Sequence, residues 1–569
     1  MSQRTKPSLP TGGPDLDRRQ LLGAAAGIAA GLGIAATATA PATAEAAARS
    51  KAGKLQWPYA SFRDYIETLE ARGLVLRVPR LDQDKYEMTA LTYRLLDEFG
   101  WYGAPAILVE EIKQDGRWLK GPVITNHQGH WFTEALIWGR EPATGPGPLA
   151  DLGPETYRQT LAFLTDLINT NKGRNPSIPT NPVDRAKAPV KEIVVRGDAI
   201  NLLDFGFIKS NPGDSARYVN TGSVFTEDQE LGKNFGTYRC EIKGPRRLGI
   251  NPEEGQTGWK MFTKKIERGE KRCPVSIVVG NDPIGWFISS SVISKGGADE
   301  LAIAGGFRGQ AIDVVRSETN DIMIPANAEM VIEGEVLLDE QEPEGPFGEM
   351  YGYLGMKKER NFVMEVTCIT HRKQPWMLNQ FTGVTRGFCT APLEAFSFYR
   401  VGKAIPNAVA FHSPVEWTGI GVLSIRKTGP GQGLEAGKKI ANLVPITKVA
   451  IVVDDDVDVL NRTEVMQAVG ARWQPFPASE VIKEARGMAL DPSSPKRPMS
   501  SKMVIDATRQ LPEEGGPKVY PQRNRDLLEK LAPESFEIVN ANWERYLDGW
   551  KPYPGPAAGV SRPKRNGPW

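Results

Sequence analysis

Residues 342–349 read EPEGPFGE, with Glu344 and Glu349 at either end of a Gly-Pro-Phe-Gly turn. Glycine permits close backbone approach and unusual dihedrals, and proline fixes φ. A solvated acidic loop needs neither, so this turn reads as one that aims two carboxylates. Outward from it run short β-rich stretches: KEIVVRG, NTGSVFTE, TYRCEIKG and PVSIVVGND before it, MVIEGEVLLDE leading into it, and NFVMEVTCITHR after it. Turn residues separate these runs, which predicts an antiparallel barrel between about residues 189 and 372. ADELAIAGGFRG reads as a helix inserted among the strands.

The flanks are of another kind. On the N-terminal side, SFRDYIETLEARGLVLRV spaces Phe62, Tyr65, Ile66 and Leu69 as an amphipathic helix, followed by a strand. EMTALTYRLLDEFG is a second helix, stopped by Gly100, and PAILVEEI and GPVITNHQG are strands. Beyond residue 375 the pattern turns α/β. APLEAFSFYRVGKAI and LEAGKKIANLV are helical, whereas VAFHSP, GVLSIR and KVAIVVDDDVDV are strands. The last of these delivers Asp454, Asp455 and Asp456 to a loop, where a metal site or a solvated strand end are both open readings. The expected division is an export signal at 1–46, an N-terminal α/β domain at 50–185, a barrel domain at 186–375, a C-terminal α/β domain at 376–500 and an extended tail at 501–569.

The chain has 569 residues, enough for a large core, and a formal net charge of +2, which argues against a nucleic-acid partner. Its four cysteines, Cys240, Cys273, Cys368 and Cys389, form no C-x-x-C pair and read as isolated buried thiols. The four histidines are too scattered for a histidine-rich metal site. Near the N-terminus, Arg18-Arg19 precedes a weakly apolar Ala/Gly run with A-x-A sites such as Ala42-Thr43-Ala44. This pattern reads as a twin-arginine export signal rather than a membrane anchor, which implies a periplasmic protein exported folded.

NFGTYRCEI (234–242) adds Arg239 and Asn234 at the start of a strand. An arginine paired with one glutamate lowers that acid's pKa, and a second acid in a drier position has its pKa raised and can deliver a proton. Taken alone, such pairs usually stabilise structure. The order of the pieces says more. Asn234-x-x-x-x-Arg239, FISSSVIS, ADELAIAGGFRG, EPEGPFGE followed by MYGYLG, and IVVDDDVDV together resemble the UbiD family, from about Ser61 to Gln474.

That resemblance implies a prenylated-FMN-dependent reversible decarboxylase. Its fold would have an N-terminal α/β portion, a central split β-barrel holding the flavin and a C-terminal α/β oligomerisation domain. It implies a catalytic Arg239, Glu344 and Glu349, with Glu344 paired to Arg239 at the flavin and Glu349 protonating the carbon that loses carbon dioxide from a covalent flavin adduct. Asn234 and Glu300 match ligands of a divalent metal, commonly manganese, that bridges to the flavin phosphate. Thr221, Ser290 and Ser291 match cofactor contacts. Two departures stand out. The stretch EEGQTGWKMFTKK has no histidine, so Gln256 or Thr257 replaces the usual third metal ligand, and Asn442 lies where a lysine is expected. A potassium- or water-assisted phosphate site therefore stays open.

The substrate implied is an aromatic (phenolic or heteroaromatic) or α,β-unsaturated carboxylic acid. A prenylated-flavin synthase is the implied cofactor supplier and a homo-oligomer the implied assembly. NQFTGVTRGFC and FHSPVEW are expected to border the substrate, with Arg386 or His412 gripping a substrate oxygen or serving structure, and Asp458 structural. The alternatives are an exported flavin- or ligand-binding pseudoenzyme on the same fold and an ordinary flavin oxidoreductase. The second lacks a G-x-G-x-x-G segment after a strand.

Overall fold

The computed structural model describes residues 55–145, 149–291, 298–387 and 389–550. The expected export signal lies outside these residues. Among them, no helix is long and apolar enough to cross a membrane. The chain divides at Lys518/Val519 into a large compact unit and a small C-terminal one.

The large unit is a mixed α/β structure. The helix Phe62–Glu70 starts at a Ser61–Asp64 capping box and buries Phe62, Tyr65, Ile66 and Leu69, the predicted stripe. It leads into a four-stranded sheet ordered Val75–Asp82, Ala106–Gln114, Arg117–Thr125 and Met377–Leu378. The middle pair is an antiparallel hairpin, and the two outer pairings are parallel. The last strand comes from far along the chain, so the N-terminal sheet is completed by residues assigned from sequence to the C-terminal domain.

At the centre lies a nine-stranded sheet. Its path runs through Tyr218–Val219, Cys240–Gly244, Arg247–Ile250, Lys358–His371, Met330–Glu344, Arg272–Val279, Ser223–Asp228 and Gly232–Thr237, with Ile193–Arg196 also on Lys358–His371. The pairings are antiparallel, as expected. The path has two ends, Tyr218–Val219 and Gly232–Thr237, that do not pair with each other, so the sheet is open and no closed barrel forms among the described residues. Alternation of apolar side chains reports which face of a strand is buried but not whether the edge strands meet. Apolar side chains from this sheet and from the strands at 106–125 share one buried cluster, including Ile107, Val123, Val224, Ile277, Ile332 and Met364. All four cysteines are buried and unbonded.

The third main sheet has five strands, ordered Ala408–His412, Ile420–Ile425, Val449–Asp454, Met499–Asp506 and Ser479–Arg486. The strand Met499–Asp506 pairs in parallel with Val449–Asp454 inside this sheet. The C-terminal domain therefore continues past residue 500. The region expected as an extended tail begins with that strand and goes on to helices at Asn524–Leu531, Glu534–Ala541 and Trp543–Leu547. Its Pro, Lys and Arg content masked these elements.

Candidate active site

Glu344 is the last residue of the strand Met330–Glu344. The chain then turns through Gly345 at φ 81°, a region that side chains with a β-carbon rarely enter. Two outside bonds hold the turn: Ser215 N–H donates to the Pro346 carbonyl at 2.8 Å and Gly348 N–H to Asp214 Oδ1 at 2.8 Å. A β-carbon at Gly348 would lie 2.6 Å from Asn211 Nδ2, so glycine is what lets the turn approach this loop. The turn brings Glu349 back beside Glu344.

Arg239 meets both acids. It sits between the strands Gly232–Thr237 and Cys240–Gly244. Its Nε donates to Glu344 Oε1 and its Nη2 to Glu344 Oε2, each at 2.8 Å, a two-pronged clamp. Its Nη1 pairs with Glu349 Oε1. The Tyr218 hydroxyl donates to Glu344 Oε1 at 3.2 Å, and the Phe347 ring centroid lies 5.2 Å from the guanidinium carbon. The Arg239 side chain is 9% exposed and that of Glu344 0%. Burial alone would lower the Arg239 pKa, but the two carboxylates reverse this and raise it.

Glu349 is the wetter of the two acids rather than the drier one: its side chain is 11% exposed against 0% for Glu344. Burial raises its pKa and outweighs the opposing pull of Arg239. It lines a cleft of about 270 Å³ with Asn211, Tyr353, Leu354, Thr382 and Val384. One guanidinium thus serves two acids, one clamped in the interior and one at the wall of a cleft.

The predicted cofactor residues come from several elements, Thr221 from the link between the strands Tyr218–Val219 and Ser223–Asp228 and Ser290 and Ser291 from the end of the helix Pro283–Ser289. Thr221 Oγ1 donates to the Leu378 carbonyl at 2.6 Å, and the Trp286 indole N–H donates to the Thr221 carbonyl at 3.1 Å. The hydroxyls of Ser290 and Ser291 turn back to the Phe287 carbonyl, at 3.0 and 2.8 Å, in the last turn of the helix Pro283–Ser289. Ser289 faces the sheet instead: its hydroxyl meets Ser223 Oγ at 2.7 Å and Thr237 Oγ1 at 2.9 Å. Nothing in the run SSS distinguishes one serine from the next until the helix phase is known.

Two buried amide oxygens, Asn379 Oδ1 and Gln380 Oε1, have no partner. Asn220, next to Thr221, exchanges hydrogen bonds with the Gln380 backbone at 2.8 and 3.1 Å. Unfilled acceptors beside Thr221 fit the polar edge of a flavin ring, so the residues present suit that group.

They do not suit a tightly held divalent ion. Asn234 and Glu300 do share a void, about 30 Å³ in volume. Glu300 Oε2 accepts from Phe235 N–H at 2.7 Å, and Asn234 Nδ2 donates to the Tyr238 hydroxyl at 3.3 Å. Gln256, at the expected third position, directs its side-chain oxygen to Glu253 N–H at 2.7 Å. Among the described residues no three His, Cys, Asp or Glu side chains form a metal-holding group. The stretch 292–297, Val-Ile-Ser-Lys-Gly-Gly, contains none of these types.

Of the other candidates, Arg386, His412 and Asp458 each pair with a residue of the chain. Arg386 is fully buried, paired with Glu134 and placed against the rings of Tyr102 and Trp131 at 5.0 and 5.6 Å. His412 Nδ1 bonds Glu394 at 2.8 Å, Asp458 pairs with Arg158, and Asn442 is exposed. Asp454 and Asp456 are held by Arg472, and Asp455 by Arg426. Sequence alone missed Tyr218 and Tyr238, since an aromatic residue in a short strand is ordinarily core.

Residues 181–385 match the 3-octaprenyl-4-hydroxybenzoate carboxy-lyase Rift-related domain, and residues 388–507 match the C-terminal domain of the same carboxy-lyase. The chain is 30% identical to the phenolic acid decarboxylase of Sedimentibacter hydroxybenzoicus over 478 residues, 81% of this chain and 94% of that one. It is 31% identical over 506 residues to an uncharacterised protein of Archaeoglobus fulgidus, covering 85% of this chain and 98% of that one. Among solved structures, it resembles the UbiD-class enzyme HmfF of Pelotomaculum thermopropionicum in complex with FMN at a TM-score of 0.69 and 27% identity, over 84% of this chain and 100% of that one. The closed form of the vanillic acid decarboxylase of S. hydroxybenzoicus matches at a TM-score of 0.70 and 26% identity, over 85% and 100%. With two domain matches in series and a decarboxylase relative aligned along most of its length, the chain belongs to the UbiD family of carboxy-lyases.

Proposed function

We propose that this protein carries out the non-oxidative, reversible decarboxylation of an aromatic acid, phenolic or heteroaromatic, or of an α,β-unsaturated carboxylic acid, using bound prenylated FMN. The observation that carries the reading is the pair of carboxyls on one arginine, Glu344 buried and Glu349, its pKa raised by burial, at a cleft wall. Relatives support the cofactor and substrate class: solved neighbours hold FMN or prenylated FMN, and others act on vanillic or phenolic acids.

Breaking the bond between carboxylate and an sp² carbon leaves an electron pair that needs a sink, and bound prenylated flavin supplies it. The protein's tasks are orientation and proton delivery. Arg239 is fixed by its clamp on Glu344, which Tyr218 holds in turn, so its position is set before substrate arrives. Glu349, whose pKa burial raises, donates a proton to the carbon from which carbon dioxide leaves. In the reverse direction the same carboxylate takes the proton back. Thr221, Asn379 and Gln380 are the residues that would hold the flavin ring, and the nine-stranded sheet would act as the split barrel beneath it.

The test is co-production with a prenylated-flavin synthase, followed by native mass spectrometry and a screen of aromatic acids for carbon dioxide release. Release with a holoprotein mass supports the reading. A flavin-loaded protein that turns over no acid supports the binding pseudoenzyme, a reading that gives the acid at Glu349 no task. We also propose a homo-oligomer, and export through Arg18-Arg19 to the periplasm. A reporter fused after Ala46 should lose export when both arginines become lysine.

A further inference from the structure

The loop after Glu349 carries large apolar side chains where a solvent-facing loop has no use for them. Tyr353 is 66% exposed and Leu354 52%. Tyr93, which lines the same cleft from the helix Glu87–Phe99, is 47% exposed. Large apolar groups gathered in one exposed place mark a binding face, as single scattered ones do not. This loop is also pinned. Glu349 N–H donates to the Tyr353 carbonyl at 2.9 Å, Gly352 N–H to the Glu349 carbonyl at 2.9 Å and Gly355 N–H to the Phe347 carbonyl at 2.8 Å. Gly348 and Leu354 are β-bridge partners. Two other segments are fitted closely to it. A β-carbon at Gly213 would lie 2.9 Å from Leu354 Cδ2, and one at Gly383 would lie 2.6 Å from Gly352 N, so glycines let both segments close on the loop.

Size and charge say what such a cleft takes. Its volume is about 270 Å³, whereas a cavity of about 150 Å³ holds one benzene ring. A single-ring acid would leave much of it unfilled. Apart from Glu349 and glycines, the lining is Tyr93, Asn211, Tyr353, Leu354, Thr382 and Val384. Glu349 is the one carboxyl among these residues, and no lysine, arginine or histidine is among them. A second carboxylate on the ligand would therefore lose water without gaining a cation, and would share the cleft with Glu349. Asn211 and Thr382 supply an amide and a hydroxyl, which suit a neutral oxygen on a ring.

We infer that the substrate is an aromatic monocarboxylic acid of two rings, uncharged beyond its reacting carboxylate, whose far ring lies against Tyr93, Tyr353 and Leu354. The inference rests on the reading of Glu349 as proton donor and narrows the acid that this donor serves. Tyr353 and Leu354 stand a few residues from Glu349 on one pinned loop, so the far ring's seat and the acid are held in one register. Little ordering of the loop remains for the ligand to bring about, and the area that the ring buries goes to affinity.

The experiment compares three probes on the prenylated-flavin holoprotein: 4-hydroxybenzoic acid, 6-hydroxy-2-naphthoic acid and naphthalene-2,6-dicarboxylic acid. Calorimetry on holoprotein bearing Glu349→Gln reads dissociation constants without turnover, and carbon dioxide release by the parent protein reads kcat/KM. The naphthoic acid should bind roughly tenfold tighter than the single-ring acid, from the added ring. The dicarboxylate should bind roughly tenfold or more weaker than the naphthoic acid. Leu354→Ser and Tyr93→Ala should each cut the naphthoic acid's advantage by about threefold or more. Phe99→Ser, on the helix of Tyr93 but outside the cleft lining, should leave that advantage in place. Should a cleft variant fail to fold, the three probes on the other proteins still decide the matter. A single-ring acid or a dicarboxylate that binds as tightly as the naphthoic acid overturns the inference, as does an advantage that survives both cleft variants. Holoprotein that decarboxylates the single-ring acid alone overturns the inference and leaves the parent reading standing. Holoprotein that neither binds nor decarboxylates any of the three overturns both.

Discussion

Arg239 and Arg472 each bridge two carboxylates at the end of a β-strand, yet their surroundings differ. Arg472 donates to Asp454 and Asp456 through three bonds of 2.8 Å. A second arginine joins them, since Arg509 N–H donates to Asp454 at 2.8 Å and its guanidinium pairs with Asp456. There the cations match the acids. At Arg239, one guanidinium serves Glu344 and Glu349, and Glu349 lines a cleft. Burial raises the pKa of Asp454 and of Glu349 alike. A perturbed acid is therefore not by itself a catalytic one. The shortage of cations and the open side of the cleft are what separate the two clusters.

The sharpest way to break the comparison is to remove one proton. Glu349→Gln keeps the shape and a hydrogen bond to Arg239 but loses the acid. Decarboxylation should fall by roughly 10²–10⁴-fold, the usual range for a lost general acid, while flavin stays bound. Carbon dioxide release and flavin absorbance on the same sample check both halves. Turnover close to that of the parent would place the proton donor elsewhere.

Removing the arginines comes next. Arg239→Met strands the fully buried Glu344 without its clamp, and should destabilise by about 3–5 kcal/mol, the cost of leaving one member of a buried pair. Arg472→Met should cost less, because Arg509 still holds both aspartates. Chemical denaturation measures both. Turnover per folded molecule should vanish in the first variant and persist in the second.

Much of the site is legible in the sequence, because its three members sit on motifs that carry their own punctuation. Gly345, Pro346 and Gly348 mark a turn with a purpose, and Arg239 opens a strand. The rest depended on partners that a linear string does not name. Ser289 faces the sheet while Ser290 and Ser291 cap their own helix, a matter of helix phase. The open edge between Tyr218–Val219 and Gly232–Thr237 depends on how nine strands twist, which alternation does not report. The strand Met499–Asp506 follows a Pro- and Lys-rich stretch and reads as tail, whereas its neighbour Val449–Asp454 announces itself by a continuous apolar run.

A smaller effect sharpens the role of burial by following pH. The folded pKa of Glu349 lies above its unfolded value because the carboxyl is desolvated. As pH rises through the folded pKa the proton donor is lost, so the rate of decarboxylation should fall on the alkaline side. Stability moves the same way. An unfolded glutamate ionises near 4.5, so stability should drop as pH climbs from there to the raised value and then level off. A rate that rises over that window would contradict the assignment of Glu349 as donor.

His127 supplies the case in which burial acts with neither partner nor cleft. It is 0% exposed, neither ring nitrogen has a hydrogen-bond partner, and the rings of Phe62, Tyr65 and Trp286 stand 5.4, 5.8 and 5.3 Å away. Desolvation pushes its pKa down to about 3. Between the ordinary histidine value of 6.5 and that figure, the unfolded chain takes up a proton that the folded one refuses. Stability should therefore fall as pH drops below about 6.5, by up to about 1.4 kcal/mol per pH unit from this group. His127→Phe removes the titration and keeps a ring in the aromatic box. The drop in unfolding free energy between pH 7 and pH 5 should be smaller in that variant by about 1–2 kcal/mol, read by denaturant titration at the two values. Turnover per folded molecule should not follow His127, whereas it should follow Glu349, because a desolvated group affects the reaction only where it can hand its proton to something outside the protein.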